Sequence, residues 1–315
     1  MRFKIIVVFL ILFYPVYCDG APTIKFTAKA IDSNGNPIEN AEVNVRLKGH
    51  FKLITGKTDK KGLFTASGQT TRRCSFSLKK EGYYISGYSF EHVVEIEPGL
   101  LNRWQPWNPT IEIVMKEKKN PIPMYVSGTM GPEDVPAFNK PVGYDFKKGD
   151  WVAPYGDGAV KDFIFTFNVS EKNVKPWDDE WRCSYTLTFS NPKDGIQEYY
   201  PPKDDHSKYK WPYQAPPAGY KSKLEGFSAM EEGGHHKTSY DKNRRYIFRV
   251  RTEVDGNGNI VKALYGKMSS DIRISPSADG WVTVIFGGYL NPTGTRNIEF
   301  SGKNLFTSDE NKYPY

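Results

Sequence analysis

"IDSNGNPIENAEVNV", residues 31–45, places an Asn-Gly turn ahead of an alternating apolar run. Asn34-Gly35 supplies the positive φ that a tight hairpin turn requires. Val43 and Val45 then share one face, because residues two apart in a strand point the same way. About a dozen residues on, "KTDKKGLFTA" (57–66) repeats the device, with Lys61-Gly62 turning the chain before Leu63 and Phe64, which fall on opposite faces. "KKEGYYISG" (79–87) follows. Upstream, "TIKFTAKAID" (23–32) puts Ile24, Phe26, Ala28 and Ala30 on one face. Downstream come "CSFSLKKEGY" (74–83), "HVVEIEPG" (92–99) and "PTIEIVMKE" (109–117), the last with Ile111, Ile113 and Met115 in step. Short strands at intervals of about ten residues, with turn signals between them, predict a β-sandwich.

Three of these stretches carry a family resemblance. "GNPIENAEV" at Gly35–Val43, "TDKKGLF" at Thr58–Phe64 and "KEGY" at Lys80–Tyr83 occur in the order found in the carboxypeptidase regulatory-like domain, which this region resembles. The match covers about residues 23–116, a third of the chain. It implies a transthyretin-like Greek-key sandwich and a non-catalytic scaffold or binding accessory. Each position has a physical role to fill. Pro37-Ile38 leads out of the turn, Ala41 is small where sheets approach, Gly62 turns a hairpin so that Phe64 points inward, and Gly82 bends the chain before Tyr83 enters the core. One departure from the pattern is "PGLLNRWQPWNPT" (98–110), which inserts Trp104 and Trp107 before the last strand.

"EKKNP" (117–121) reads as a linker, and 117–315 as a second β-rich domain, a sandwich or jelly roll. "VKDFIFTFNVS" (160–170) alternates Phe163, Phe165 and Phe167 against Ile164 and Thr166. "RCSYTLTFS" (182–190) alternates Cys183, Tyr185, Leu187 and Phe189. Residues 246–274 read as strand, turn, strand about Asp255-Gly256-Asn257-Gly258. "GWVTVIFGGYLNP" (280–292) sets Val282, Val284 and Phe286 against Trp281 and Ile285. Helical periodicity is absent outside 221–232. "YYPPKDDHSKYKWPYQAPPAGY" (199–220) is a long decorated loop, and loops of that length are either functional or loosely ordered. The ending "YLNPTGTRNIEF" followed by "KNLF" resembles the C-terminal part of uncharacterised exported bacterial proteins that carry the same module, and it implies no activity.

Composition fits an all-β chain: aromatics are 15% of the 315 residues, with 20 Tyr and 19 Phe. "MRFKIIVVFLILFYPVYC" has a basic start at Arg2 and Lys4 and a short apolar core, which predicts an export signal over 1–18 and a secreted or periplasmic product. A retained anchor and a lipoprotein lipidated at Cys18 are the alternatives, the second poorly served by Pro15-Val16-Tyr17. No later stretch is apolar enough to span a bilayer. Loss of Arg2 and Lys4 lowers the formal charge from +7 to +5. The remaining basic residues form no stripe, which speaks against nucleic acid. Cys74 and Cys183 are then the only cysteines, one in each domain. Export permits a disulfide between them, although spacing says nothing of distance and the reading favours free thiols.

No cofactor or metal motif is present. "EEGGHH" (231–236) gathers Glu231, Glu232, His235 and His236, but adjacent histidines in a strand face opposite ways, so a mobile loop is the expectation. Asp32, Asn34 and Asn36, like Asp255, Asn257 and Asn259, have calcium-loop spacing. Pro37 and Ile260 stand where that loop needs glycine, and Val43 and Gly266 where it needs glutamate, so hairpin turns are expected. Trp104, Trp107, Trp211 and Tyr213 are the candidate ligand-binding rings, with Asp178, Asp179 and Glu180 as hydroxyl partners. Trp177 and Trp181 are expected to be structural, and Trp211 to be exposed. The function expected is a non-catalytic envelope module for binding or structure, with a glycan or another envelope protein as partner. The alternatives are a carbohydrate-binding protein using the Trp-rich loops and a hydrolase centred on Glu231, Glu232 and His236.

Overall fold

The computed structural model describes residues 21–47, 53–70, 73–91, 103–127, 133–170, 175–177 and 180–306. The predicted export signal with Cys18, the expected strand at 92–99, and Asp178 and Asp179 lie outside them. The fold is all-β, with no helix among the described residues. The segment 221–232, singled out for helical periodicity, is a strand instead. Its Phe227 suits a pleated surface, and residues 223–230 pair without a break with a neighbouring strand. The chain divides into two compact units, 1–116 and 117–315.

Among the described residues the first unit has seven strands: β1 (Thr23–Ile31), β2 (Glu42–Leu47), β3 (Ile54–Lys57), β4 (Leu63–Gln69), β5 (Arg73–Lys79), β6 (Ser86–Glu91) and β7 (Thr110–Val114). They form two sheets, β4-β1-β7 and β3-β2-β5-β6. Ile24, Phe26, Ala28 and Ala30 from the first meet Val43, Val45, Leu47, Phe76 and Leu78 from the second in one core. Alternation therefore places the predicted faces inward. Tyr84, rather than Tyr83, is the fully buried tyrosine after Gly82.

The turns are pinned by aspartates. Asp32 Oδ1 accepts the Asn34 and Asn36 N–H groups, Asp59 Oδ1 those of Lys61 and Leu63, and Asp255 Oδ1 those of Asn257 and Asn259. Each aspartate spends its carboxylate on its own turn, as an Asx motif does. At Gly62, φ is +74°, and an added Cβ would lie 2.3 Å from the Ala30 carbonyl oxygen. Gly62→Val should therefore cost about 1–3 kcal/mol, since a β-branched residue resists positive φ and backbone blocks the space. Thermal melts of the intact chain check this. An unchanged midpoint would show that the turn tolerates a side chain.

The second unit has fifteen strands among the described residues. Five are β10 (Pro141–Asp145), β11 (Asp150–Trp151), β12 (Phe163–Val169), β13 (Trp181–Thr188) and β14 (Gly195–Tyr199). β15 (Lys223–Glu231), β16 (His235–Thr238), β17 (Arg245–Val254) and β18 (Ile260–Met268) follow, with β8 (Ile122–Ser127) and β9 (Glu133–Asp134) preceding them all. The last four are β19 (Arg273–Pro276), β20 (Val282–Ile285), β21 (Gly288–Leu290) and β22 (Phe300–Asn304). Two six-stranded sheets, β11-β10-β12-β13-β15-β16 and β14-β17-β18-β21-β8-β22, enclose the core, and β19-β20-β9 adds a third sheet. Phe163, Phe165, Phe167, Tyr185 and Leu187 face Tyr246, Phe248, Val250, Val284 and Phe286 across it. Many ring pairs are edge-on, as Phe146 is with Phe163 at 4.8 Å, the arrangement that the ring quadrupole favours.

Candidate functional site

The structure divides the four rings expected as a platform: Trp104 and Trp211 are buried, and Trp107 and Tyr213 are partly exposed. Trp104 is buried, and its Nε1 donates to the carbonyls of Pro22 and Thr70, so it closes the first core. Trp107 is partly exposed beneath the Arg103 guanidinium, 4.5 Å from its centroid. Trp211, expected to be exposed, is only 3% so. The 199–220 loop folds onto the face of the β14/β17/β18/β21 sheet that points away from the main core. There Trp211 stacks on Tyr199 at 5.3 Å, and Tyr209 on Tyr213 at 5.6 Å. Tyr213 donates its hydroxyl to the Glu117 carbonyl. Trp181 is buried as expected, but Trp177 is 65% exposed, the reverse of the expectation.

Beneath that loop lies Lys267, 2% exposed, with its Nζ 5.0, 5.2 and 5.3 Å from the ring centroids of Tyr209, Trp211 and Tyr289. Burial pushes its ammonium down to about 7, against the pull of the Glu299 carboxylate, and Arg245 adds to the fall. Elsewhere in the unit, Arg251 donates to Asp162 and Asp145 at 2.7 Å each. Burial raises both carboxyls. In Asp145 the N–H groups of Val160 and Ala159, together with Arg251, outweigh burial and hold it below the ordinary carboxylate range. In Asp162 burial wins. Asp271 is closed on Arg244 and on the Tyr246 hydroxyl.

Cys74 and Cys183 are both free, each fully buried in the core of its own unit. The disulfide that export would permit is not formed, because each thiol points into apolar packing on the inner face of its sheet. Burial alone pushes both thiols up to about 12, which leaves them unreactive. In 231–236, Gly233 and Gly234 turn the β15–β16 hairpin at φ +82° and +76°. Glu231 pairs with Lys237 at 2.6 Å. His236 lies against Trp181, with its Nε2 2.9 Å from Ser228 Oγ. Glu231 and His236 thus engage different partners on opposite faces of the hairpin. Among the described residues no group of three His, Cys, Asp or Glu could hold a metal.

The site that the structure does offer is a groove of about 430 Å³ on the outer face of the β13/β15 pair. Register builds it. Ser184 stands opposite Phe227, Thr186 opposite Glu225, and Arg182 opposite Ala229. These side chains point away from the core for the same reason that Cys183, Tyr185 and Leu187 point into it. Arg182 places its guanidinium 4.3 Å from the Phe227 centroid. Ser239 walls one side, its Oγ accepting the Phe227 N–H at 2.8 Å and donating to the Phe227 carbonyl at 3.2 Å. Glu225 pairs with Lys223 at 2.6 Å. The hydroxyls of Ser184 and Thr186 have no hydrogen-bond partner among the described residues. None of these residues was a candidate from sequence. Their only signal is the Ser/Thr alternation in "RCSYTLTFS", which also reads as an ordinary solvated strand face.

No family model matches the chain, and no curated protein does. Among solved structures it is similar to 3-chlorocatechol 1,2-dioxygenase from Rhodococcus opacus, at 14% identity over 32% of this chain and 62% of that one, with a TM-score of 0.25. It is also similar to a streptococcal ancillary pilin, at 11% identity over 72% of this chain and 52% of that one, with a TM-score of 0.23. A third is the shaft pilin SpaA from Lactobacillus rhamnosus, at 12% identity over 75% and 89%, with a TM-score of 0.21. The chain thus spans less than two thirds of the first two. Superpositions this loose carry no argument about function. No helix among the described residues is long and apolar enough to cross a membrane.

Proposed function

We propose that this chain is an exported, non-catalytic binding module of the cell envelope. On this reading its first unit is a carboxypeptidase regulatory-like, transthyretin-like scaffold, and its second unit carries the binding surface. The observation that supports it most is the groove over β13 and β15. It combines unspent hydroxyls with a partly buried ring on two strands held by eight paired positions. Rigid paired strands position side chains more closely than loops do. Two buried clusters of charge in the second unit are spent differently: Arg251 on Asp145 and Asp162, and Arg244 on Asp271, where they hold strands and loops together.

The test is an amide-resolved NMR titration of the intact chain. The probes are neutral tetrasaccharides of cellulose, xylan, mannan and chitin, oligogalacturonate, and an unstructured peptide panel. Shifts confined to 182–186 and 225–227 with at least one probe are expected. If no probe moves these amides at millimolar concentration, the groove is not a binding site and the reading fails.

A further inference from the structure

Resting on that reading, we infer that the β13/β15 groove takes an uncharged oligosaccharide. The polar groups in the groove select for it. Arg182 brings a positive charge and Glu225, beside Lys223, a negative one, so an anionic ligand meets Glu225 as an unfavourable partner and a cationic one meets Arg182 and Lys223. A ligand whose groups both donate and accept meets no such conflict. Ser184 and Thr186 also donate and accept, and they make no hydrogen bond among the described residues. Being two residues apart on one strand, they stand about 7 Å from one another, and Glu225 sits about 5 Å across from Thr186. A row of hydroxyls along an extended chain can reach all three.

The ring supplies the rest. Phe227 is partly buried, with the Arg182 guanidinium 4.3 Å from its centroid, and the two lie beside the hydroxyls. A pyranose presents one apolar C–H face and a polar rim, which is the pairing of surfaces that the groove offers. A lipid chain would bury Ser184, Thr186 and Glu225 against groups that cannot bond them, at the usual penalty for unpaired polar atoms. Freeing Glu225 for a hydroxyl costs little. Its partner Lys223 is 56% exposed and Glu225 itself 62%, and ion pairs that exposed contribute little. The groove's volume falls in the range of small-ligand sites, and its position on an open sheet face suits a chain that runs past it.

The same titration, repeated on two variants, tests the ligand class. Thr186→Val keeps the strand and removes one hydroxyl. Phe227→Ala removes the ring. At least one neutral tetrasaccharide should bind the native chain, with affinity about fivefold weaker in Thr186→Val and lost in Phe227→Ala. Thr186→Val guards against the case in which Phe227→Ala fails to fold, and the dispersion of its spectrum reports that directly. Groove shifts with oligogalacturonate or peptides alone would overturn the neutral-sugar assignment and leave the binding reading standing. Sugar binding that ignores both substitutions would place the sugar elsewhere and overturn the assignment as well. Silence from every probe sinks both.

Discussion

Arg251→Met should destabilise the second unit by about 3–5 kcal/mol, measured as a shift in the urea midpoint at pH 7. The guanidinium is the one side-chain cation bonded to Asp145 and Asp162 among the described residues, and these are 2% and 1% exposed. Removing it leaves two carboxylates inside the fold with only backbone donors. The backbone there is also specialised. Arg251 has φ of +54° and lies in the irregular register between Val250 and Glu253, with its N–H held by Asp194 Oδ2 at 3.0 Å. The side chain therefore aims across the unit only because that bulge turns it. The loss should shrink on acidification. Arg251 pulls both carboxyls down, so each stands higher in the variant than in the native chain, and the penalty of leaving them charged is relieved as they take protons. Native Asp145, which is lowered, gives up its own contribution over the same fall in pH. A shift worth less than about 1 kcal/mol at pH 7 would mean that water, not Arg251, satisfies the pair.

The second large effect concerns Lys267. An amine at about 7 in the fold and 10.5 when free binds its proton more tightly in the unfolded chain. Stability is therefore lost as pH falls from 10.5 towards 7 and is level below that. Between pH 9.5 and pH 6 the native chain should lose about 3 kcal/mol relative to Lys267→Met, whose side chain fills similar space without a charge. Comparing the two proteins cancels the tyrosines and carboxylates that titrate in both. At pH 6 the variant should be the more stable by roughly 1–4 kcal/mol, as when a buried charge gives way to an apolar side chain. If native and variant midpoints run parallel across that range, the three rings and Glu299 hold the ammonium charged at no net cost.

The strand faces were legible in the sequence. A period of two requires only that one face be apolar, so Ile24 to Ala30, Val43 to Leu47, Phe163 to Phe167 and Val282 to Phe286 could be assigned inward without knowing what they meet. The turns were legible too, because Asp-x-Asn-Gly-Asn can bond its own backbone, and Asp32 and Asp255 do so. Trp104 and Trp211 were not. An aromatic residue between prolines looks exposed until a sheet face is found beneath it, and residues 245, 265, 267 and 289, which face Trp211 and its neighbours, lie far along the chain.

By itself, then, the sequence determined that this is an all-β chain, which residues of each strand face inward, and where the hairpins turn. These depend on steric preferences and periodicities that act over a few residues. Tertiary structure alone decided which outward faces are covered and which stay open. The second face of β17 and β18 is roofed by 199–220 and encloses Lys267, while the outer face of β13 and β15 stays open and becomes a groove. Both outcomes depend on register between strands some forty residues apart, as with Ser184 and Phe227, and on which loop returns over which sheet. Neither is a local property, because the free energy that fixes them is gained only when the distant surfaces meet.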